Sequence, residues 1–142
     1  MQDGRLASDL KGISVLVVED DPSSLELIAR ILRDEAADVT AVSSARDAIR
    51  VVLGQRPDVL VSDIGMPEVD GYGMLRAIRE LEEVQGRPML PALALTAYDD
   101  TTDIVRSGIA GYQRHITKPF EHTRLVQAVV ELAGRQYWQR RG

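Results

Sequence analysis

No cysteine occurs in this chain. That excludes a disulfide framework, a thiolate metal site and a cysteine nucleophile, and it suits a reducing cytoplasm. Aromatic residues make up 4% of the sequence, too few for a platform on which single-stranded nucleic acid stacks. Basic residues are outnumbered, 17 against 22 acidic, for a formal net charge of −5. That balance speaks against direct nucleic-acid binding. No apolar run reaches the ~18 residues that mark a membrane-spanning helix, so no membrane insertion is expected. Met1–Gly12 is polar and lacks the apolar stretch of a secretory signal. His115 and His122 stand far along the chain from its early acidic residues, which leaves no softer-metal site.

What is present is a strand–helix rhythm. The 142 residues, 44% of them hydrophobic, suffice for one domain with a real core. Ile13–Val18 is apolar and β-branched, the composition of a strand buried on both faces. Asp21 followed by Pro22 reads as a helix N-cap and first-turn proline, and Leu25, Ile28, Ala29 and Leu32 continue at helical spacing. Val39–Val42 is a short strand. Ala45, Ala48, Ile49 and Val52 line a second helix that Gly54 stops. Val59–Ser62 is the third strand, and Asp63–Gly73 reads as a loop. Met74, Ala77, Ile78 and Leu81 mark a third helix, and Leu90–Thr96 the fourth strand. Ile104 and Val105 indicate a short fourth helix ended by Gly108. Tyr112–Ile116 is a fifth strand, polar enough for a sheet edge, and Leu125, Ala128, Val129 and Leu132 line the last helix.

Such alternation implies an α/β protein: a parallel sheet covered by helices on both faces. Five strands and five helices make a small doubly wound fold of the flavodoxin-like kind, with strand order 2-1-3-4-5. The expected organisation is a tail over 1–12, one domain over 13–134 and a second tail over 135–142.

In an open parallel sheet, side chains at the carboxyl ends of the strands share one crevice. Here the first strand ends at Glu19 and Asp20, the third at Asp63 and the fourth at Thr96, while the weaker last strand leads to Lys118. Two carboxylates about 4 Å apart repel by roughly 4 kcal/mol at an effective dielectric near 20. Three of them call for a counter-charge or shifted pKa values. A hard divalent cation such as Mg²⁺ supplies that charge through oxygen ligands. A carboxylate at position 63 can serve as a ligand or as a nucleophile towards phosphorus. Gly65 lets its carbonyl approach a cation closely, Thr96 can donate to a phosphoryl oxygen, and Lys118 can pair with one as a point charge. Taken singly, each has an ordinary explanation: a loop-starting acid, a turn glycine, a β-branched strand residue, a surface lysine. Together they define phosphoryl chemistry.

Val15–Pro22, Asp63–Gly71, Leu95–Ala97 and Lys118–Phe120 resemble, in order, the motifs of the receiver domain of two-component response regulators, in the chemotaxis-regulator-like form. The resemblance covers about Gly12 to Gly134. It implies that Asp63 accepts a phosphoryl group from a phosphohistidine on a sensor histidine kinase or a histidine phosphotransfer protein. It implies Mg²⁺ held by Glu19, Asp20, Asp63 and the Gly65 carbonyl, with Lys118 and Thr96 contacting the phosphoryl group and a cis Lys118–Pro119 bond. Asp21 stands one place past the usual acid pair and remains the cap of the first helix. The switch position, an aromatic in many receivers, is His115 here. Phosphorylation would alter binding to a downstream protein target through a face carrying Arg106, Tyr112 and Arg114; a homodimer stays open. The flanks, Leu10–Gly12 and Leu90–Tyr98, resemble receivers attached to hybrid sensor kinases. With Gly134–Gly142 after the last helix, no effector domain is expected here, and Trp138 is a candidate anchor for a partner. The expected location is the cytoplasm, and the expected role is a phosphoacceptor that assists its own dephosphorylation rather than an enzyme with an external substrate. Two alternatives stand beside this: a Mg²⁺-dependent phosphatase or nuclease using the same acids, and an interaction module that is never phosphorylated.

Overall fold

The computed structural model describes residues 10–64, 71–97 and 111–141, the side chains of 97 and of 135–141 excepted. The expected helix at Ile104 and Val105, along with Gly65, Arg106 and the Trp138 side chain, lies outside the described set.

Five strands form one parallel sheet: β1 Ser14–Val18, β2 Asp38–Val42, β3 Val59–Asp63, β4 Ala92–Ala97 and β5 Arg114–Lys118, in the order β2-β1-β3-β4-β5. Four helices accompany them among the described residues: α1 Pro22–Asp34, α2 Ala45–Gly54, α3 Gly71–Gln85 and α4 His122–Arg141. β5 does lie at an edge, but it begins two residues later than its apolar content suggests and runs on into Lys118. Register explains the shift: pairing with β4 matches Leu93 to Arg114 and Ala97 to Lys118, so partner length rather than local hydrophobicity sets the ends. The expected loop over Asp63–Gly73 is likewise shorter, because α3 starts at Gly71.

Side-chain alternation along the strands divides the apolar interior in two. Val15, Val17, Val59, Val61, Leu93, Leu95 and Ile116 pack with Ile28 and Leu32 of α1 and with Leu125 and Val129 of α4. Leu16, Val18, Leu60, Ala92 and Ala94 pack with Ala48 and Val52 of α2 and with Met74 and Ile78 of α3. Both faces of the central strands are thus covered, which is why they read as continuous apolar runs. The Asp21 side chain accepts from the Ser24 amide at 2.9 Å with Pro22 in the first turn, as the sequence pattern indicates. That cap holds the β1–α1 turn in place directly beside Glu19 and Asp20.

Candidate functional site

The carboxyl ends of β1, β3 and β5 converge. Glu19, Asp20 and Asp63 each offer a carboxylate oxygen, and these oxygens lie within 4.8 Å of one another. Asp20 is exposed, Asp63 half-buried and Glu19 only 1% exposed. The Lys118 ammonium reaches between them: Nζ donates to Glu19 Oε1 at 2.8 Å and stands 3.4 Å from Asp63 Oδ1. Glu19 Oε2 accepts from the Asp21 amide at 3.2 Å. Both Glu19 oxygens are therefore engaged, one by an ammonium and one by the backbone of the capped turn.

Burial pushes the Glu19 carboxyl above its ordinary range, against the opposing pull of the Lys118 hydrogen bond. Lys118 moves up as well: burial pulls it down, but the Glu19 hydrogen bond and the charges of Asp63 and Glu19 outweigh that. Asp21 moves down because the Ser24 amide donates to its carboxylate. The ammonium thus serves as counter-charge to a buried acid, and the remaining oxygens of Asp20 and Asp63 stay available to a cation. Three converging carboxylates of this kind suit a hard, oxygen-seeking divalent ion.

Thr96 is buried at the end of β4, one strand from Asp63, and its hydroxyl donates to the Ile116 carbonyl at 3.5 Å, the long limit of such a bond. His115 is half-buried on β5 opposite Ala94, two places before the Thr96–Thr117 pair. The Lys118–Pro119 peptide is cis. A cavity of about 460 Å³ opens beside Lys118, lined by Leu27 and Ile28 of α1 and by Pro119, Phe120 and His122.

One expectation fails. The resemblance puts Tyr112 on the output face, yet it is 5% exposed, and its hydroxyl donates to the Gly71 carbonyl at 2.8 Å. Lying before β5 rather than within it, Tyr112 is free of the strand's alternation and packs among the side chains of α3. Arg114 is part-exposed and pairs with Glu131 on α4, the last helix of the expected face. A tyrosine next to a glycine just ahead of an edge strand was the available signal, but it carries no direction.

The family model of the response regulator receiver domain matches residues 15–130. The chain is 40% identical over 121 residues to an uncharacterized 14.6 kDa protein in the sodA1 3′ region of Leptolyngbya boryana, covering 83% of this chain and 90% of that one. It is 33% identical to the sensor protein GacS of Pseudomonas syringae over 84% of its own length but only 13% of that protein. Among solved structures, it matches the receiver domain of the sensor histidine kinase PA1611 of Pseudomonas aeruginosa, a structure with a magnesium ion coordinated in the active-site cleft. The TM-score is 0.78 and the identity 32%, over 87% of this chain and 98% of that one. The chain belongs to the response regulator receiver domain family, the signalling domain of response regulators and hybrid sensor kinases.

Proposed function

We propose that Asp63 is the phosphoacceptor of this receiver. One observation carries the assignment: of the three clustered acids, Glu19 is buried with both oxygens engaged and Asp20 is exposed, while Asp63 is half-buried at the end of β3 with the Lys118 ammonium 3.4 Å away. A carboxylate oxygen of Asp63 attacks the phosphorus of a phosphohistidine. The P–N bond breaks, an acyl phosphate forms, and the imidazole departs with its electron pair and takes a proton from solvent. Lys118 stabilises charge on the phosphoryl oxygens, and Thr96 turns its hydroxyl from the Ile116 carbonyl towards the phosphate. Asp20 and Asp63 would hold Mg²⁺, Glu19 joining them directly or through a water, with the Gly65 carbonyl as a further ligand. When bound, that ion supplies positive charge to the transferring group. Hydrolysis of the acyl phosphate at the same site resets the switch, and His115, beside the Thr96 strand, is the residue through which β5 registers the change.

The donor is a sensor histidine kinase or histidine phosphotransfer protein. It docks over the apolar cavity between α1 and the β5–α4 connection, where Leu27 is 47% exposed and where Lys118, whose ammonium stands 3.4 Å from Asp63, lines the wall. The receiver unit is 13–134, flanked by 1–12 and 135–142, and it works in the cytoplasm, where kinase and target meet it. In the test, the protein is incubated with Mg²⁺ and acetyl phosphate and its intact mass measured. One phosphoryl adduct is expected for the native chain and none for Asp63→Asn; an adduct that persists in the variant removes Asp63 as acceptor.

A further inference from the structure

Tyr112 has no part in that chemistry, and its environment is unusual for a residue just ahead of an edge strand. Gly71, whose carbonyl it holds, lies hard against the acceptor's own backbone. A Cβ at Gly71 would stand 2.8 Å from the Asp63 carbonyl oxygen and 2.9 Å from Ile64 Cα. The Gly71 amide donates to the Ile64 carbonyl at 3.0 Å, and the Ile64 amide donates to Leu95 of β4 at 3.1 Å. The Tyr112 hydroxyl therefore closes a short chain of backbone bonds that begins at the residue after Asp63. The neighbouring residue is tied to the same helix at a second point, since Arg79 Nη2 donates to the Gly111 carbonyl at 2.7 Å. Gly71 and Arg79 are about 12 Å apart along α3 at the ordinary helical rise. Two anchors that far apart fix the chain entering β5 to α3 as a lever, not as a hinge.

We propose that Tyr112 is a positioning residue for the acceptor: its hydroxyl holds Gly71, and through Gly71 the backbone that carries Asp63, to the chain entering β5. The proposal rests on the phosphoacceptor reading of Asp63. A buried phenol always seeks a partner, but a merely structural bond would not control the reaction rate. An in-line transfer is sensitive to displacements of an ångström or less, and the Gly71 backbone lies so near that of Asp63 and Ile64 that not even a methyl group fits between them. The same bond runs in the other direction, so movement of the Asp63–Ile64 backbone is felt at residues 111–116.

Tyr112→Phe removes the hydroxyl and keeps the ring. Native and variant chains are compared with Mg²⁺ and increasing acetyl phosphate, following the adduct by mass. The maximal rate is expected to fall by roughly threefold to tenfold, the worth of one hydrogen bond expressed on a rate, with the half-saturating acetyl phosphate concentration unchanged. Amide shifts induced by beryllofluoride at residues 111–116 should shrink in the variant. Gly71→Ala displaces the same backbone from the other side, so the double variant should be no slower than Gly71→Ala alone. A native maximal rate in Tyr112→Phe, a rate loss that only follows the unfolded fraction, or additive effects in the double variant would each overturn the proposal. Absence of an adduct on the native chain would instead sink the phosphoacceptor reading itself, and this inference with it.

Discussion

Lys118 decides how three acids coexist. Glu19 is nearly fully buried and depends on the ammonium 2.8 Å away. Removing one partner of such a pair leaves an uncompensated charge in a low-dielectric site. Lys118→Ala should therefore cost about 1–3 kcal/mol of stability at neutral pH without divalent cation. The pH dependence has a definite sign. The folded pKa of Lys118 lies above its ordinary value of 10.5, so its contribution is complete below 10.5 and is lost as pH rises through the folded value. Glu19 is also raised, above 4.5. Its contribution is present below 4.5 and lost as pH rises through the folded value. Urea denaturation at neutral pH and above pH 10.5 checks this. The native chain should lose its advantage over Lys118→Ala at the alkaline end; an equal gap at both would contradict the pairing.

At the scale of elements, α3 is held at both ends by polar contacts. Its start carries Gly71. Near its end, Glu82 is 5% exposed, receives Arg56 and Arg79 at 2.9 Å each, and accepts from the Leu90 amide at 2.6 Å. Arg56 also reaches the Pro88 carbonyl. This network joins the segments that lead into β3 and β4, at the end of the sheet opposite Asp63. Breaking a buried ion pair by removing one partner costs about 3–5 kcal/mol, so Glu82→Ala should show that loss in denaturation. Its phosphoryl adduct should still form, since no member of the network touches the acid cluster and the Arg79 bond to the Gly111 carbonyl does not involve Glu82. Loss of the adduct in folded Glu82→Ala would mean that the two ends of α3 are coupled.

For the molecule as a whole, the doubly wound order brings β1 and β3 side by side and sets the acids at one rim. If that rim holds Mg²⁺, binding adds to global stability. At a hundredfold excess over the dissociation constant the gain is about 2.7 kcal/mol. The melting temperature should rise with Mg²⁺ and fall back with EDTA, and Asp20→Ala should blunt the response. A melting curve indifferent to Mg²⁺ would remove the ion from the site.

Much of this was legible in the sequence because it is local. Strand–helix alternation follows from apolar periodicity, the α1 cap from Asp21 and Pro22, and the strand-end acids from their place after apolar runs. A parallel sheet then has few ways to arrange five such units, so Glu19, Asp20 and Asp63 could be expected at one crevice. Other features depend on neighbours distant in the chain. The limits of β5 come from pairing with β4 and not from its own composition. Lys118 meets Glu19 across 99 positions, and only the assembled sheet decides which carboxylate takes the short bond. Tyr112 precedes its strand and so escapes the alternation that orients strand side chains. Packing against α3 turned it inward to Gly71, because a buried phenol needs both an apolar slot and an acceptor, and the acceptor stands 41 positions away.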